Sequence, residues 1–200
     1  MRAVVAVGVF LASLLVPPIA NAEPSCEGGA FAVGGYPNTE QVPDGYQPVD
    51  TPGGIFPWEG RGGYTHGQQV GAANMIEAVD TYAQACPDAE IRIHGYSYGA
   101  AIVHTAVETI DQRDYAPRVH VELAGNPRRP GGVEDTWQWL PSIAGIDFRG
   151  AGATPQNVAS FEDKCNVGWD IICHAPHPID IIGNITGSIG YGSTGGHSYG

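Results

Sequence analysis

The stretch from Ala89 to Ile110 constrains the fold more than any other part of the chain. Ala89 to His94 alternates in the manner of a strand, with Ile91 and Ile93 on one face. Gly95-Tyr96-Ser97-Tyr98-Gly99 follows at once. Ala100, Ala101, Ile102, Ala106, Val107 and Ile110 then recur at helical spacing. A strand that passes into a helix through so short a turn needs glycine on both sides, where the backbone passes close to its neighbours. The central residue is left standing at the end of the strand. Here it is Ser97, in a G-x-S-x-G pattern that suits a serine nucleophile. The helix N-terminus beneath it favours negative charge developing there. A second match, Gly196-His197-Ser198-Tyr199-Gly200, has no strand before it and is not read as an elbow.

The rest of the chain fits around this unit. Gly28 to Val33 reads as a short strand entering the Gly34-Gly35-Tyr36-Pro37 turn, and residues 38–63 read as mostly loop. A helix is expected from about Gln68 to Ala85, with Ala72, Met75, Ile76, Val79 and Ala83 on its apolar face. Cys86-Pro87 ends it. Val119 to Leu123 reads as a strand running into Gly125-Asn126-Pro127, and Val158 to Phe161 as another. Alternating strands and helices predict an α/β fold with a central, mostly parallel sheet and helices on both faces. The glycine-rich stretch from about 183 reads as a flexible tail. Of the aromatic residues Trp58, Trp137, Trp139, Trp169, Tyr36 and Phe56, about half are expected in the core, by the usual burial of such residues.

Residues 1–22 have the three parts of a secretory leader: a positive start at Arg2, an apolar stretch from Ala3 to Leu15, and a small-x-small site at Ala20-Asn21-Ala22. Cleavage near Ala22 would leave residues 23–200 as one exported domain with no membrane span. With a net charge of −12, the chain repels phosphate backbones, so nucleic acid is not an expected partner. Cys26, Cys86, Cys165 and Cys173 form an even set, read as two disulfides. Three pairings exist on paper. The closeness of Cys165 and Cys173 favours their pairing and leaves Cys26 for Cys86. The spacings lack the C-x-x-C pair of common zinc sites, and neither a metal nor a cofactor is expected. Asn184-Ile185-Thr186 matches a glycosylation sequon.

In hydrolases built on such an elbow, an acid and then a histidine follow the serine. His104 and His120 fall within a helix and a strand and read as structural. His174, His177 and His197 remain, with Asp147, Asp163, Asp170 and Asp180 as candidate acids.

Ala85-Cys86-Pro87-Asp88-Ala89 followed by Ile93-His94-Gly95-Tyr96-Ser97-Tyr98-Gly99-Ala100 resembles the nucleophile region of cutinases. Phe31-Ala32-Val33-Gly34-Gly35 resembles their first strand and oxyanion turn, and the Cys165 to Cys173 loop resembles the disulfide loop carrying their catalytic acid. Gly196-His197-Ser198-Tyr199 resembles the segment with their catalytic histidine, and Gly125 to Gly132 is closer to actinobacterial PE-PPE-type domains. The resemblance implies a cutinase-like α/β-hydrolase fold with a triad of Ser97, Asp170 and His197. It implies an oxyanion hole from Tyr98 with Gly35 or Tyr36. The acid loop departs from the pattern by one extra residue before Asp170, and a histidine on a glycine-rich stretch would be poorly pre-organised.

The implied activity is hydrolysis of carboxylic esters through an acyl-enzyme, on lipid or short-to-medium acyl esters, by a secreted monomer. The rival expectations are a non-catalytic binding or antigen-like protein on the same fold, and an acyltransferase.

Overall fold

The computed structural model describes residues 26–142, 145–177 and 197–199. The leader, the sequon, Asp180 and the stretch from 183 to 196 lie outside them.

Five strands form one sheet: β1 (Gly29–Val33), β2 (Gln47–Pro48), β3 (Ile91–Tyr96), β4 (Val119–Ala124) and β5 (Ser160–Lys164). Their order is β2-β1-β3-β4-β5, and every pairing is parallel. Among the described residues, three α-helices accompany them: α1 (Tyr64–Ala85), α2 (Tyr98–Ile110) and the single turn α3 (Val133–Thr136). This is an α/β-hydrolase arrangement, with a parallel sheet whose strands connect through crossovers.

The core follows from side-chain alternation. Ile91 and Ile93 of β3 and Val119, Val121 and Leu123 of β4 point to one face and are buried there. Met75, Val79 and Ala83 from α1, and Ile102, Val103, Ala106 and Val107 from α2, join them in a single cluster. On the other face, Arg92, His94, His120 and Glu122 keep partial or full exposure.

Several boundaries differ from the sequence reading, and β3 itself lies two residues later than the expected Ala89 to His94. Helix α1 starts at Tyr64, ahead of Gln68. Its first turns bury Tyr64, Gly67 and Gln68, and Gly67 is required because a Cβ there would lie 2.2 Å from the Tyr98 hydroxyl. The region read as loop contains β2, whose Gln47 and Pro48 pair with Phe31 and Ala32. Strand β5 begins two residues later than expected and runs on to Lys164.

The four cysteines form two disulfides, Cys26–Cys86 and Cys165–Cys173, so no thiolate remains for a metal. The first ties the chain just before β1 to the end of α1. The second closes a loop that follows β5. Among the described residues, no helix is long and apolar enough to cross a membrane.

Candidate active site

Ser97 sits between β3 and α2 with φ 55° and ψ −119°. Among the described residues it is the only non-glycine at positive φ. Such a conformation costs on the order of 1–3 kcal/mol and persists only where the surroundings enforce it. The enforcing contacts are visible. The Ser97 N–H donates to the Ala124 carbonyl at the end of β4 (2.8 Å), and its own carbonyl accepts from Ala100 and Ala101 in the first turn of α2. The flanking glycines are needed for space. A Cβ on Gly95 would lie 2.8 Å from the Ala100 Cα, and one on Gly99 would lie 2.1 Å from the Val33 carbonyl oxygen.

The turn after β1 comes up against this serine. A Cβ built on Gly35 would fall 2.9 Å from the Tyr96 ring and 3.4 Å from the Ser97 Cβ. The backbone at Gly35 therefore runs alongside Ser97. The Tyr36 hydroxyl donates to Glu59 (2.5 Å), whose other carboxylate oxygen accepts the N–H groups of Ile55 and Phe56. That bridge ties the turn to a second loop, where Phe56 stacks on Trp58 at 4.6 Å. Tyr98 begins α2, where the first N–H groups of a helix have no acceptor within it. Its side chain is buried, and its hydroxyl donates to the Tyr64 carbonyl at 3.2 Å.

Asp170 and His197 meet just beyond the end of β4. The His197 Nδ1 lies 2.7 Å from the Asp170 Oδ2. Both are buried. Burial alone would raise the Asp170 carboxyl. The hydrogen bonds from His197, Tyr199 and the Ile172 N–H outweigh it and hold the group below its ordinary value. Gly125 makes the meeting possible. Its φ is +63°, and a Cβ there would lie 2.4 Å from the His197 Cε1 and 3.3 Å from the Asp170 Oδ2. Gly125 directly follows Ala124, the residue that accepts the Ser97 N–H.

The other candidates lie elsewhere. His174 and His177 are exposed, as is Asp147. Asp163 is bound by the Asn126 side chain (3.0 Å), and burial pushes its carboxyl up. His104 is buried against the Ala153 carbonyl at 3.1 Å, and its Nδ1 lies 2.9 Å from the Asn126 amide. None of the six aromatic residues expected to divide between core and surface is buried: Trp58, Trp139, Trp169 and Tyr36 are exposed, and Phe56 and Trp137 are half-buried. Trp137 packs edge-on to Phe148 at 6.0 Å.

Sequence reasoning missed Gly125, Tyr96 and Tyr199. The Tyr96 hydroxyl donates to the His197 carbonyl (2.6 Å), and the Tyr199 hydroxyl donates to Asp170 (2.5 Å). The signal for Gly125 was its place in the tight Gly125-Asn126-Pro127 turn at a strand end. The two hydroxyls carried no sequence signal, because their partners are far away along the chain.

The family profile described as Cutinase matches residues 45–195. The chain belongs to the cutinase family. The matched span takes in Ser97 and Asp170 and ends just before His197. Cutinase CUT1 of Coprinopsis cinerea is 38% identical over 72 residues, which cover 34% of this chain and 36% of that protein. The chain thus spans about a third of the length of that curated cutinase. Lysin B from Mycobacteriophage D29 aligns over 69% of this chain and 62% of its own, at 19% identity and a TM-score of 0.45. The catalytic core domain of acetyl xylan esterase from Trichoderma reesei aligns over 82% and 92%, at 17% identity and a TM-score of 0.42.

Proposed function

We propose that this member of the cutinase family is a carboxylic ester hydrolase with Ser97 as nucleophile, His197 as base and Asp170 as acid. One observation carries the reading. The imidazole paired with Asp170 packs on Gly125, and the residue before Gly125 holds the backbone of Ser97. Ser97, His197 and Asp170 all thereby neighbour the carboxyl end of β4, which supports this reading, since in open α/β sheets ligands bind at the carboxyl ends of the strands.

The Ser97 Oγ attacks the ester carbonyl while the His197 Nε2 takes the hydroxyl proton. Asp170, on the Nδ1 side, fixes the tautomer and stabilises the imidazolium. The negative oxygen of the tetrahedral intermediate accepts from the Tyr98 N–H and from an N–H of Gly35 or Tyr36. His197 then returns the proton to the leaving alcohol, and the acyl group stays on Ser97. Water, deprotonated by His197, attacks the acyl-enzyme, and the imidazolium gives that proton to the Ser97 Oγ as the acid leaves. No cofactor or metal enters these steps.

The substrate class is a lipid or a short-to-medium acyl ester. The aromatic surface next to the oxyanion turn, with Tyr36 and the Phe56–Trp58 stack, supports an apolar acyl or alkyl group. The three-part leader and the two disulfides support export of residues 23–200 to an oxidising compartment.

The test is hydrolysis of p-nitrophenyl butyrate by the mature chain, beside Ser97→Ala and His197→Ala. Each variant is expected to lose about 1000-fold or more in kcat. Loss with Ser97→Ala alone would move the base to His174 or His177. An inactive, folded wild type would leave the non-catalytic reading. Transfer of the acyl group to an added alcohol in preference to water would favour the acyltransferase.

A further inference from the structure

His197 lies in a glycine-rich part of the sequence, and neither α1 nor α2 carries it. Its position nonetheless has three tethers, one from β3 and two to the Cys165–Cys173 loop. The Tyr96 hydroxyl at the end of β3 donates to its carbonyl at 2.6 Å, and the two rings lie 5.0 Å apart. The Asn166 side chain donates to the Ser198 carbonyl at 3.3 Å. The third tether is Tyr199, two residues beyond the histidine.

The Tyr199 hydroxyl reaches the same carboxylate oxygen that His197 uses. It lies 2.5 Å from the Asp170 Oδ2, against 2.7 Å for the His197 Nδ1. It also accepts the Asn166 N–H at 3.1 Å, and the Asn166 carbonyl accepts the Asp170 N–H at 3.0 Å. The other carboxylate oxygen, Oδ1, accepts the Ile172 N–H at 2.9 Å. A carboxylate rotates about its Cβ–Cγ bond unless its acceptor sites are filled. Here donors fill sites on both oxygens, and the orientation that serves His197 is fixed.

We propose that Tyr199 is a positioning residue for the catalytic pair: its hydroxyl aims the Asp170 Oδ2 at the His197 Nδ1. The proposal rests on the triad reading above. Tyr199 touches neither the substrate nor Ser97 in this role, and it acts through Asp170. A hydrogen-bond donor on a carboxylate withdraws charge from it. Without the hydroxyl, the carboxylate would be more basic and less well aimed. The first change would hold the imidazolium more tightly and move the acid limb of the kcat/KM profile to higher pH. The second would lower kcat. The titratable or charged groups on this cluster are His197, Tyr199, Tyr96 and Arg129, which acts on Tyr199. Arg129 and Tyr96 remain in the variant, so the shift reports the missing hydroxyl.

The test is Tyr199→Phe, which keeps the ring that packs edge-on to His197 and Tyr96. Two measurements are made on wild type and variant, with thermal melting as a check that both fold. The first is the pH profile of kcat and KM on p-nitrophenyl butyrate. The expected result is a kcat lower by about 10-fold at unchanged KM, with the acid limb displaced upward. The second needs no turnover: the low-field proton resonance of the Nδ1–H of His197 held by Asp170. It is expected in the wild type and shifted or broadened in the variant. An unchanged resonance with an unchanged profile overturns the proposal, as does a wild type without the resonance. A drop in melting temperature alone does the same. If the wild type shows the resonance but hydrolyses no ester, the esterase reading fails. The resonance of the variant then still decides the role of Tyr199.

Discussion

Gly125 is the residue on which the site turns, although it brings no functional group. Its hydrogen occupies the place where any other residue would carry a Cβ, 2.4 Å from the His197 Cε1. Gly125→Ala would push the imidazole off its position and force alanine into positive φ. The stability cost is about 1–2 kcal/mol. The catalytic cost is larger, because a displacement near 1 Å lowers rates by about 100-fold. The expected outcome is a large fall in kcat with a small shift in melting temperature, read by ester hydrolysis and a thermal scan. Ser97 could be singled out at this scale because a strand-to-helix elbow leaves a local signature in five consecutive residues. Asp170 and His197 stood out only through family resemblance. Their hydroxyl partners Tyr96 and Tyr199 were not legible at all, since a hydrogen bond between residues 96 and 197 leaves no pattern in the chain.

The two disulfides act on different elements, and the difference is measurable. The Cys165–Cys173 bridge closes an eight-residue separation around Asp170, and Asp170 lies in that loop with Asn166. Replacing both cysteines by serine is expected to cost about 2 kcal/mol in the chain-entropy account and about 10-fold in kcat, because the acid loses its frame. The Cys26–Cys86 bridge spans sixty residues and lies at the far end of β1 from the oxyanion turn. Its removal should cost more, about 4 kcal/mol, yet leave kcat within about twofold while the protein stays folded. Urea unfolding and kcat on the same samples separate the two effects. Elements were legible where one face is apolar, as in α2, β3 and β4. They were obscured where packing favoured something else. Gly67 hid the first turns of α1, because the space beside it belongs to the Tyr98 hydroxyl. Glu162, Asp163 and Lys164, three charged residues in a row, hid the end of β5, an edge strand with no apolar alternation after Phe161.

Across the whole molecule, a buried acid links α1, α2 and the loop after β4. Glu134 accepts from the Tyr64 hydroxyl at 2.6 Å and the Gln68 amide at 3.1 Å, with the Arg128 Nε 3.8 Å away. Arg128 in turn donates to Thr105 and Glu108 of α2. Burial raises the Glu134 carboxyl above its ordinary value of 4.5, against the pull of Tyr64 and Arg128. A carboxyl raised in the folded state binds its proton more tightly there than in the unfolded chain. Its contribution is fully present below pH 4.5 and is lost as pH rises through the folded-state value. Glu134→Gln removes that dependence. The stability of wild type relative to the variant should therefore decline as pH rises from 4.5 to 7, in urea titrations at several pH values. A constant difference would sink the assignment. The parallel sheet holds a consequence in time. Gly29 pairs with Ile91, Ile91 with Val119 and His120 with Ser160, and no pairing is closed by a hairpin. Apart from β2, whose Gln47 pairs with Phe31 sixteen residues earlier, each strand waits for a partner that is synthesised much later or was synthesised much earlier. Until distant segments find one another, the apolar faces of β3 and β4 stay wet. Such a chain folds slowly for its size. During that delay its strands are open to pairing with other copies, so recovery on refolding should worsen as protein concentration rises.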